Sequence, residues 1–522
     1  SDYIHYAKYA RDLSNGRKET YLETSHRCRG MHLRKFGKPV SSLSKHKEIY
    51  DLIMWAWEFV DKKIVLPSMR SMQFGGEAIE DQNTRMYNCS FTPIDRPEVF
   101  QQIFYLLLCG CGVGFSVQKQ HVAKLPVILL KDKKKLRHHR IEDNIQGWAD
   151  SISILMDSFF TGYCVEFNYS SIRPQGSLLK TSGGKAPGHF PLKKLHSIIV
   201  DKLQLIHDRQ LRPIECHDII CHIADSVLSG GIRRSSLISL FSINDKEMLY
   251  AKMPGNFQHY SENGQRALAN NSAVLLRERT LSGGGLEQQS KEQFLKIMGL
   301  NKNNPNGEPG FFFTNNLDYG CNPCGEIGLY PVLNKEDYSS SSPTDRVKKS
   351  GIAFCNLTEV NCAGIKTKEE FLRIAKAATI IGTLQAAYTD FGYLGKTTEE
   401  IAKRDALLGV SLTGIMDNPH IALNPDIQRL GVKMIKEVNK EVAELIGINP
   451  AKRLTTVKPS GTASLLLGGV GSGIHPHHSR RYFRRVTVNK NEQILQEFIK
   501  VNPQMIEYKP NGDMALVFPV ES

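Results

Sequence analysis

Six consecutive residues that begin at Cys321 combine side chains that can do chemistry together. The stretch reads Cys-Asn-Pro-Cys-Gly-Glu, so Asn322, Cys324 and Glu326 occupy alternate positions. In an extended segment, side chains two residues apart point to the same face. A short extended or looped stretch would therefore direct an amide, a thiol and a carboxylate into one cavity, with Cys321 and Pro323 facing away. A hydrogen-bond donor, a redox-capable sulfur and a base would then share one site.

The C-x-x-C spacing that begins at Cys321 also permits structural interpretations. It is the spacing of half a zinc knuckle, and a chance cluster in a turn would give the same pattern. Cys355 and Cys362 could complete four thiolate ligands, but they lack the usual second C-x-x-C spacing. His475 and His477 form a His-x-His pair, which alone is weak evidence for a metal. Zinc stays open as an alternative from the residue types, and we predict no resident metal.

A redox role suits the thiols better. Cys89 and Cys355 each lie in a strand-like segment, apart in sequence from Cys324. Two thiols that meet across a cavity can deliver two electrons and become a disulfide. The eleven cysteines are an odd number spread through 522 residues, which is not the pattern of a small secreted disulfide scaffold. We expect reduced thiols in a cytoplasmic enzyme.

The composition is that of an ordinary globular protein, with 41% hydrophobic and 23% charged residues. No apolar run approaches the ~20 residues that cross a bilayer, and the N-terminus shows no basic-then-apolar signal pattern. The formal net charge of +14 favours anionic partners, either phosphate-bearing small molecules or nucleic acid. We interpret the densest basic run, residues 131–140, as a solvated surface loop, because no nucleic-acid-binding signature accompanies it. We therefore expect a soluble protein with no membrane association and no stable nucleic-acid partner.

The elements that must position the candidate residues alternate between helical and strand-like patterns. Apolar residues at helical spacing predict helices at 49–60, 97–108, 142–160, 217–228, 368–388 and 427–446. Strand-like segments occur at 85–91, 165–169, 237–241, 352–357 and 455–457. This alternation indicates an α/β fold with buried strands. No clear linker or internal repeat is visible, so we predict a helical region over residues 1–80 that packs on one large catalytic unit over residues 81–522.

Glycine-rich and hydroxyl-rich loops interrupt this pattern. The glycines of 109–117 follow a helix and precede a strand, which is the wrong order for a dinucleotide-binding loop, so we assign them to close helix–strand packing. Loops 173–185 and 229–236 are basic and suit phosphate contacts. Residues 458–464 lie between a strand and a helix, where free backbone amides can bind anions. Ordinary connections and a plain capped turn are the alternatives for these three segments.

Eight short motifs resemble, in the same order, those of one family. They are 87–91 (YNCSF), 112–117 (GVGFSV), 171–176 (SIRPQG), 230–235 (GGIRRS), 306–310 (NGEPG), 322–326 (NPCGE), 355–360 (CNLTEV) and 456–462 (TVKPSGT). The sequence resembles the catalytic chain of adenosylcobalamin-dependent (class II) ribonucleotide reductases, and most of all the monomeric ribonucleoside-triphosphate reductase branch. The similarity extends from near residue 6 to the C-terminus. One such motif alone is weak, but eight in the same order are highly specific.

The resemblance implies a fold, a cofactor and a reaction. The fold is a ten-stranded α/β barrel with a central finger loop that carries a radical cysteine. The cofactor is adenosylcobalamin (coenzyme B12), and ribonucleotides, most often triphosphates in this branch, are reduced to 2′-deoxyribonucleotides. A dNTP or ATP effector and a thioredoxin-like or dithiol reductant are the further partners that the resemblance implies.

The resemblance also implies roles for individual residues. Cys324 matches the thiyl position, and Glu326 matches the base that takes the 3′-hydroxyl proton. Asn322 matches the amide that holds the substrate hydroxyls, and Cys89 with Cys355 matches the dithiol that reduces the 2′ position.

Phosphate groups are implied at other segments. The substrate phosphates match a helix N-terminus formed by Ser460, Gly461, Thr462 and Ala463. The loops that link effector to substrate match Arg173, Lys180, Arg233 and Arg234, with Arg233 as the linking side chain.

Two departures from the family pattern lie at the C-terminal end. The family carries a further cysteine pair that re-reduces the active site, and this chain stops at Ser522 without such a pair. The last barrel strand is not recognisable either, so we expect the C-terminal end to be incomplete.

Cys321, directly before Asn322 in the hexapeptide, is a thiol that the family pattern does not include.

Two other functions remain open. The first is the catalytic subunit of a ribonucleotide reductase of another radical class, iron-dependent or glycyl-radical. The second is a basic nucleic-acid-binding protein that uses residues 131–140 and 480–485, for which we expect a steep salt dependence of affinity.

Overall fold

Two sheets at the centre of the chain carry most of the segments singled out above. The computed structural model describes all residues except 38–42, 178–184, 229–235, 254–261, 278–287, 303, 305, 335–347, 489–492, 510–513 and 522. The strands are β1 (Val65–Leu66), β2 (Cys89–Pro93), β3 (Gly112–Ser116), β4 (Asp132–Arg140), β5 (Tyr163–Asn168), β6 (Leu237–Ser242), β7 (Ala269–Leu276), β8 (Gly310–Thr314), β9 (Gly320–Cys321), β10 (Gly328–Leu329), β11 (Val332–Leu333), β12 (Lys349–Ser350), β13 (Ala353–Cys355), β14 (Leu357–Asn361), β15 (Gly409–Thr413), β16 (Arg481–Val488), β17 (Ile506–Tyr508) and β18 (Met514–Glu521).

Helices separate many of these strands. The longer helices are Tyr21–Phe36, Leu43–Asp61, Val99–Leu108, Ile145–Thr161, Phe190–Leu203, Pro213–Leu228, Gln288–Asn301, Lys368–Ala386, Lys396–Asp405, Pro425–Ile446 and Gln493–Val501. The shorter helices are Asp2–Lys8, Met69–Phe74, Glu77–Asp81, Lys119–Val122, Lys246–Leu249, Pro419–Ala422 and Thr462–Leu466. Short 3-10 helices occupy Asn83–Met86, Gly264–Leu268, Gly392–Leu394 and Pro503–Met505. None of the helices that the structure describes is long and apolar enough to cross a membrane.

The larger sheet has six strands in the order β13-β2-β3-β6-β7-β8. β13 pairs antiparallel with β2, and the remaining neighbours pair in parallel. Parallel strands covered on both faces read as nearly continuous apolar runs, as in β6, where five of six residues are buried. Helices Val99–Leu108, Ile145–Thr161 and Pro213–Leu228 share one apolar core with this sheet.

The smaller sheet has three strands in the order β1-β14-β15. Helices Leu43–Asp61, Lys368–Ala386 and Pro425–Ile446 pack on it in a second apolar core. Only Asn356 separates β13 from β14, so the chain passes directly from the larger sheet to the smaller one. The Asn356 amide fixes this crossing, because its Nδ2 donates to the carbonyl of Gly382 at 2.8 Å.

Local signals explain several helix boundaries. Asn424 caps the N-terminus of helix Pro425–Ile446, because its side chain accepts from two backbone N–H groups. Gly447 caps the C-terminus in the left-handed region, with φ of 76°. Helix Lys368–Ala386 begins at Thr367, whose hydroxyl accepts from the N–H of Glu370. These helices lie close to the predicted spans 427–446 and 368–388.

The structure confirms the α/β class and corrects three details. Residues 131–140, expected as a loop, contain the exposed strand β4, which pairs in parallel with β5. The expected strand 455–457 is reduced to one isolated bridge between Thr455 and Val410. The strand pairing among the described residues gives separate sheets of six and three strands at the centre and no closed ring of ten. The division at residue 80 stays a prediction, although helices dominate the segment before it.

Candidate active site

The hexapeptide lies in a turn between two short strands. β9 and β10 pair antiparallel, with Cys321 opposite Gly328. Gly325 lies in the turn with φ of +81°, a conformation that glycine adopts readily. The stretch is therefore looped and not extended, and residues four apart meet by chain reversal. We call residues 320–329 the hairpin.

Asn322 and Glu326 are in direct contact inside this turn. Asn322 Nδ2 donates to Glu326 Oε2 at 2.7 Å, and Asn322 Oδ1 accepts from the backbone N–H of Ile327 at 3.1 Å. Asn322 is fully buried. Because both ends of the amide are engaged, its orientation is set, and it holds one carboxylate oxygen of Glu326 in place.

Cys324 lies at the tip of the turn and is exposed, in contrast to Cys321, which is buried beside Phe91. Partial burial of its sulfur beside the sheet raises the pKa of Cys324 to about 12, and the neighbouring Cys89 and Glu326 act in the same direction. The thiol therefore keeps its hydrogen at neutral pH. Such a group suits hydrogen-atom transfer better than attack by a thiolate.

Cys89 and Cys355 face each other across the edge of the larger sheet. They are direct partners in the antiparallel pairing of β2 with β13, and both are free thiols. Their hydrogen bond lowers the pKa of Cys89 and raises the pKa of Cys355. Asn322 also hydrogen-bonds Cys89, which joins the hairpin to the dithiol. The predicted redox pair and the predicted hexapeptide residues thus lie together.

Glycines allow the hairpin to reach the sheet. A Cβ on Gly114 would overlap the carbonyl of Cys321, and a Cβ on Gly320 would overlap the ring of Phe91. A Cβ on Gly112 would lie 3.2 Å from Cγ of Pro323. The glycines of 109–117 were predicted to serve helix–strand packing, and this assignment is wrong for Gly112 and Gly114. They make room for the hairpin.

The predicted phosphate segment lies beside the hairpin. Thr456 Oγ1 donates to the carbonyl of Glu326 at 3.3 Å. Ser460 is fully buried, and its Oγ has no hydrogen-bond partner among the described residues. A Cβ on Gly461 would meet no atom within 4 Å, and Thr462 begins the short helix that also contains Ala463. A buried hydroxyl without a partner, next to open space, leaves a donor available to a ligand.

A buried ion pair at this segment was missed by sequence reasoning. Lys458 Nζ lies 2.8 Å from Glu359 Oε2, and the two side chains are 12% and 2% exposed. Lys458 also acts on Cys324, because its charge lowers the pKa of that thiol against the larger effect of burial. The available signal was a carboxylate within a strand-like segment, β14, which the structure shows to be mostly buried. The partner Lys458 lies far away in sequence, so no local pattern could indicate it.

The predicted effector residues are separate from this centre or outside the described residues. Arg173 Nε donates to Asp143 Oδ2 at 2.7 Å, in a half-buried ion pair. Lys180, Arg233 and Arg234 lie outside the described residues.

The part of the chain that the structure describes contains no metal-binding site of the kind considered above. No group of three or more His, Cys, Asp or Glu residues there could hold a metal ion. His477 of the proposed His-x-His pair is engaged instead by Asp417 at 3.2 Å and by the hydroxyl of Tyr482 at 2.9 Å.

Comparison with known proteins identifies relatives over most of the chain. The adenosylcobalamin-dependent ribonucleoside-triphosphate reductase of Euglena gracilis is 24% identical over 520 residues, which cover 95% of this chain and 67% of that protein. The probable enzyme of the same name from Dictyostelium discoideum is 26% identical and covers 69% of this chain and 45% of that protein. The enzyme from Lactobacillus acidophilus is 22% identical, with coverages of 76% and 59%. The chain thus spans from 45% to 67% of the length of these curated relatives.

A solved structure shares the fold. The crystal structure of a B12-dependent (class II) ribonucleotide reductase matches with a TM-score of 0.79 at 20% identity, over 100% of this chain and 81% of that chain. No protein-family model matches the chain.

Proposed function

Because the chain is homologous to adenosylcobalamin-dependent ribonucleoside-triphosphate reductases, we propose that it reduces ribonucleoside triphosphates to 2′-deoxyribonucleotides with adenosylcobalamin as cofactor. One arrangement carries this proposal: the Cys89–Cys355 pair lies against the turn that holds Asn322, Cys324 and Glu326. A hydrogen-abstracting thiol, a base and a two-electron dithiol are the groups that such a reduction needs.

Cys324 carries the radical in this proposal. Its raised pKa of about 12 keeps the S–H bond intact until a hydrogen atom is removed. The thiol is exposed, and a Cβ on Gly325 would meet no atom within 4 Å, so open space adjoins the turn. A large cofactor could therefore reach the turn from the solvent side, where Cys324 and Gly325 would contact it. Adenosylcobalamin, when bound, supplies one-electron chemistry at this thiol.

The base and the amide act on the ribose after this activation. The Cys324 thiyl radical takes the 3′ hydrogen, and Glu326 takes the proton of the 3′-hydroxyl. Asn322 orients Glu326 through the 2.7 Å hydrogen bond and binds the substrate hydroxyls. A base whose position is set before the substrate arrives avoids the entropic cost of ordering it during reaction.

The dithiol supplies two electrons. The C2′–O bond breaks, and the hydroxyl leaves as water with a proton from Cys89. A hydrogen replaces it at C2′, and one S–S bond forms between Cys89 and Cys355. Cys324 then returns its hydrogen to C3′, and Glu326 returns the proton to the 3′ oxygen. Over the whole cycle one C–O and two S–H bonds break while one O–H, one C–H and one S–S bond form, so atoms and electrons balance. A dithiol or thioredoxin-like reductant then restores both thiols.

Phosphate recognition and regulation are assigned to the remaining segments. Residues 460–463 bind the substrate phosphates, which the free hydroxyl of Ser460 supports. The loops with Arg173, Lys180, Arg233 and Arg234 link a dNTP or ATP effector to the substrate base. The eleven free thiols suit a reducing compartment, so we place the protein in the cytoplasm.

The family's barrel offers an interpretation of the two sheets. We assign them to the halves of a ten-stranded barrel and the hairpin to its finger loop. Two observations support this assignment: the hairpin packs closely on β2 and β3, and the TM-score to the solved class II structure is 0.79.

Cofactor dependence tests the function directly. The chain is incubated with a ribonucleoside triphosphate, dithiothreitol and adenosylcobalamin, without any second subunit, and products are separated by chromatography. Dithiothreitol serves in this assay as the dithiol that reduces the Cys89–Cys355 pair after each turnover. We expect deoxynucleotide only when the cofactor is present. Product that requires an iron-containing partner subunit instead would assign the chain to another radical class.

A further inference from the structure

Arg70 is a cation beside the dithiol that no sequence motif pointed to. It belongs to the short helix Met69–Phe74, and its backbone N–H donates to Asn88 Oδ1 at 3.3 Å, directly before Cys89. Its guanidinium packs on Gly110, where a Cβ would lie 3.3 Å from Arg70 Cζ and Nη1. Gly110 precedes the start of β3 by two residues, and β3 begins opposite Cys89.

Among the residues that the structure describes, no carboxylate forms an ion pair with Arg70. Nη1 donates to Oε1 of Gln73 at 2.6 Å, and that amide is neutral. The guanidinium is therefore available to stabilise a nearby negative charge, which an Arg paired with a carboxylate would do less effectively.

We propose that Arg70 is a positioning residue of the dithiol, and that its guanidinium stabilises negative charge on the sulfur of Cys89 in preference to that of Cys355. The inference rests on the proposed function, in which Cys89 gives up its proton to the leaving hydroxyl. The thiolate formed in that step would be repelled by the half-buried carboxylate of Glu326, and a nearby cation offsets this repulsion.

The groups around Cys89 support an asymmetric pair. Cys355 and Asn322 hydrogen-bond its sulfur and lower its pKa, whereas burial and the charge of Glu326 raise it. Arg70 lowers the pKa of Cys89 and also acts in this direction on the neighbouring Cys111, whereas the strongest influences on Cys355 are Cys89, burial, Cys111 and Glu326. Arg70 is thus the cation that opposes the carboxylate at this sulfur.

Thiol alkylation measures this effect without turnover. Each variant is built on Cys355→Ser, so that Cys89 cannot form its disulfide, and the iodoacetamide reaction of the Cys89 peptide is followed by mass spectrometry from pH 6 to pH 10. We expect Arg70→Gln to raise the apparent pKa by about one pH unit, which is ~10-fold less thiolate at neutral pH. Arg70→Lys keeps the charge and should retain most of the parent profile.

Matched controls separate the local charge from other effects. Arg429→Gln removes one charge from an exposed helix position and should leave the profile unchanged. Thermal unfolding of every variant identifies loss of fold, and Arg70→Met provides a second neutral side chain if Gln is not tolerated. Superimposable profiles for Arg70→Gln and the parent would overturn the inference, as would equal shifts for Lys and Gln. Neither result depends on deoxynucleotide formation, so failure here is distinct from failure of the proposed function.

Discussion

Cys89 and Cys355 are direct cross-strand partners. The hydrogen bond between their thiols lowers the pKa of Cys89 and raises the pKa of Cys355. Directly opposed residues place their Cβ atoms ~4.5–5.5 Å apart, and disulfides need ~3.5–4.5 Å, so a small shift suffices. We therefore predict that one turnover without reductant links these two residues. Peptide mapping under non-reducing conditions would detect the bond. Cys111, buried nearby, should stay reduced, and a map in which Cys89 or Cys355 remains free after product has formed would contradict the pairing.

Cys324 should be essential although it contributes little to stability. Cys324→Ser removes the weak S–H bond at an exposed turn position, so we expect no detectable deoxynucleotide and an unchanged Tm. Cys321→Ala is the matched control, because Cys321 is buried and belongs to the same apolar cluster as Phe91. It should lose some stability and keep activity. Wild-type product formation by Cys324→Ser would exclude the thiyl assignment.

Glu326→Gln should lower kcat more than it affects binding. The substitution preserves the shape of the side chain near Asn322 but removes the base, and loss of a general base typically costs ~10²–10⁴-fold. Steady-state kinetics at saturating cofactor would report kcat and KM separately. A fall in kcat/KM that arises only from KM would show that Glu326 binds substrate and takes no proton.

Gly320→Ala and Gly114→Ala should destabilise the protein through steric overlap. Their Cβ atoms would collide with the ring of Phe91 and the carbonyl of Cys321, and overpacking typically costs ~1–3 kcal/mol. Denaturant titration would measure this loss of unfolding free energy. Gly264→Ala is the control, because a Cβ there meets no atom within 4 Å. Equal unfolding free energies for all three variants would argue against the tight seating of the hairpin.

Buried histidines should make the protein acid-sensitive. Burial lowers the pKa of His196 from 6.5 to about 3, and Ser151 and Tyr169 hydrogen-bond its neutral ring. Above pH 6.5 both the folded and unfolded forms are neutral, so no stability is lost. Below it the unfolded chain binds a proton that the folded chain rejects, which costs about 1.4 kcal/mol per pH unit.

His196→Gln isolates this contribution. Between pH 6.5 and pH 5, the variant should lose about 1.6 kcal/mol less unfolding free energy than the parent. Urea titrations at the two pH values give this difference directly, whatever the absolute stability of the variant. Identical losses in both proteins would mean that His196 is protonated in the folded state.

Local patterns predict the helices well and the exposed strand poorly. Helix Pro425–Ile446 combines apolar periodicity with a side-chain cap at Asn424 and a terminal glycine, so its predicted span starts only slightly late. β4 consists almost entirely of exposed residues. A strand with polar residues on both faces shows neither alternation nor an apolar run, and its basic composition suggests a loop.

In the candidate site too, local features could be predicted from the sequence and contacts between distant segments could not. The proximity of Asn322 and Glu326 follows from their spacing, and of the extended and looped forms that were expected, the turn at Gly325 gives the looped one. The pairing of Cys89 with Cys355 joins distant segments, and only the resemblance to known reductases indicated it. The pattern at Gly112 showed that something packs closely there, but a local pattern does not reveal that the partner is the hairpin.

The position of β13 has a consequence for synthesis. This strand closes one side of β2, but it is supplied from much later in the chain than β2 and β3. While the ribosome is still making the intervening residues, β2 presents an open row of backbone N–H and C=O groups. Such a row is a template for pairing with other chains. Nascent chains that stop before Ala353 should therefore be prone to self-association, and the strand that ends this hazard is also the one that delivers the second reducing thiol.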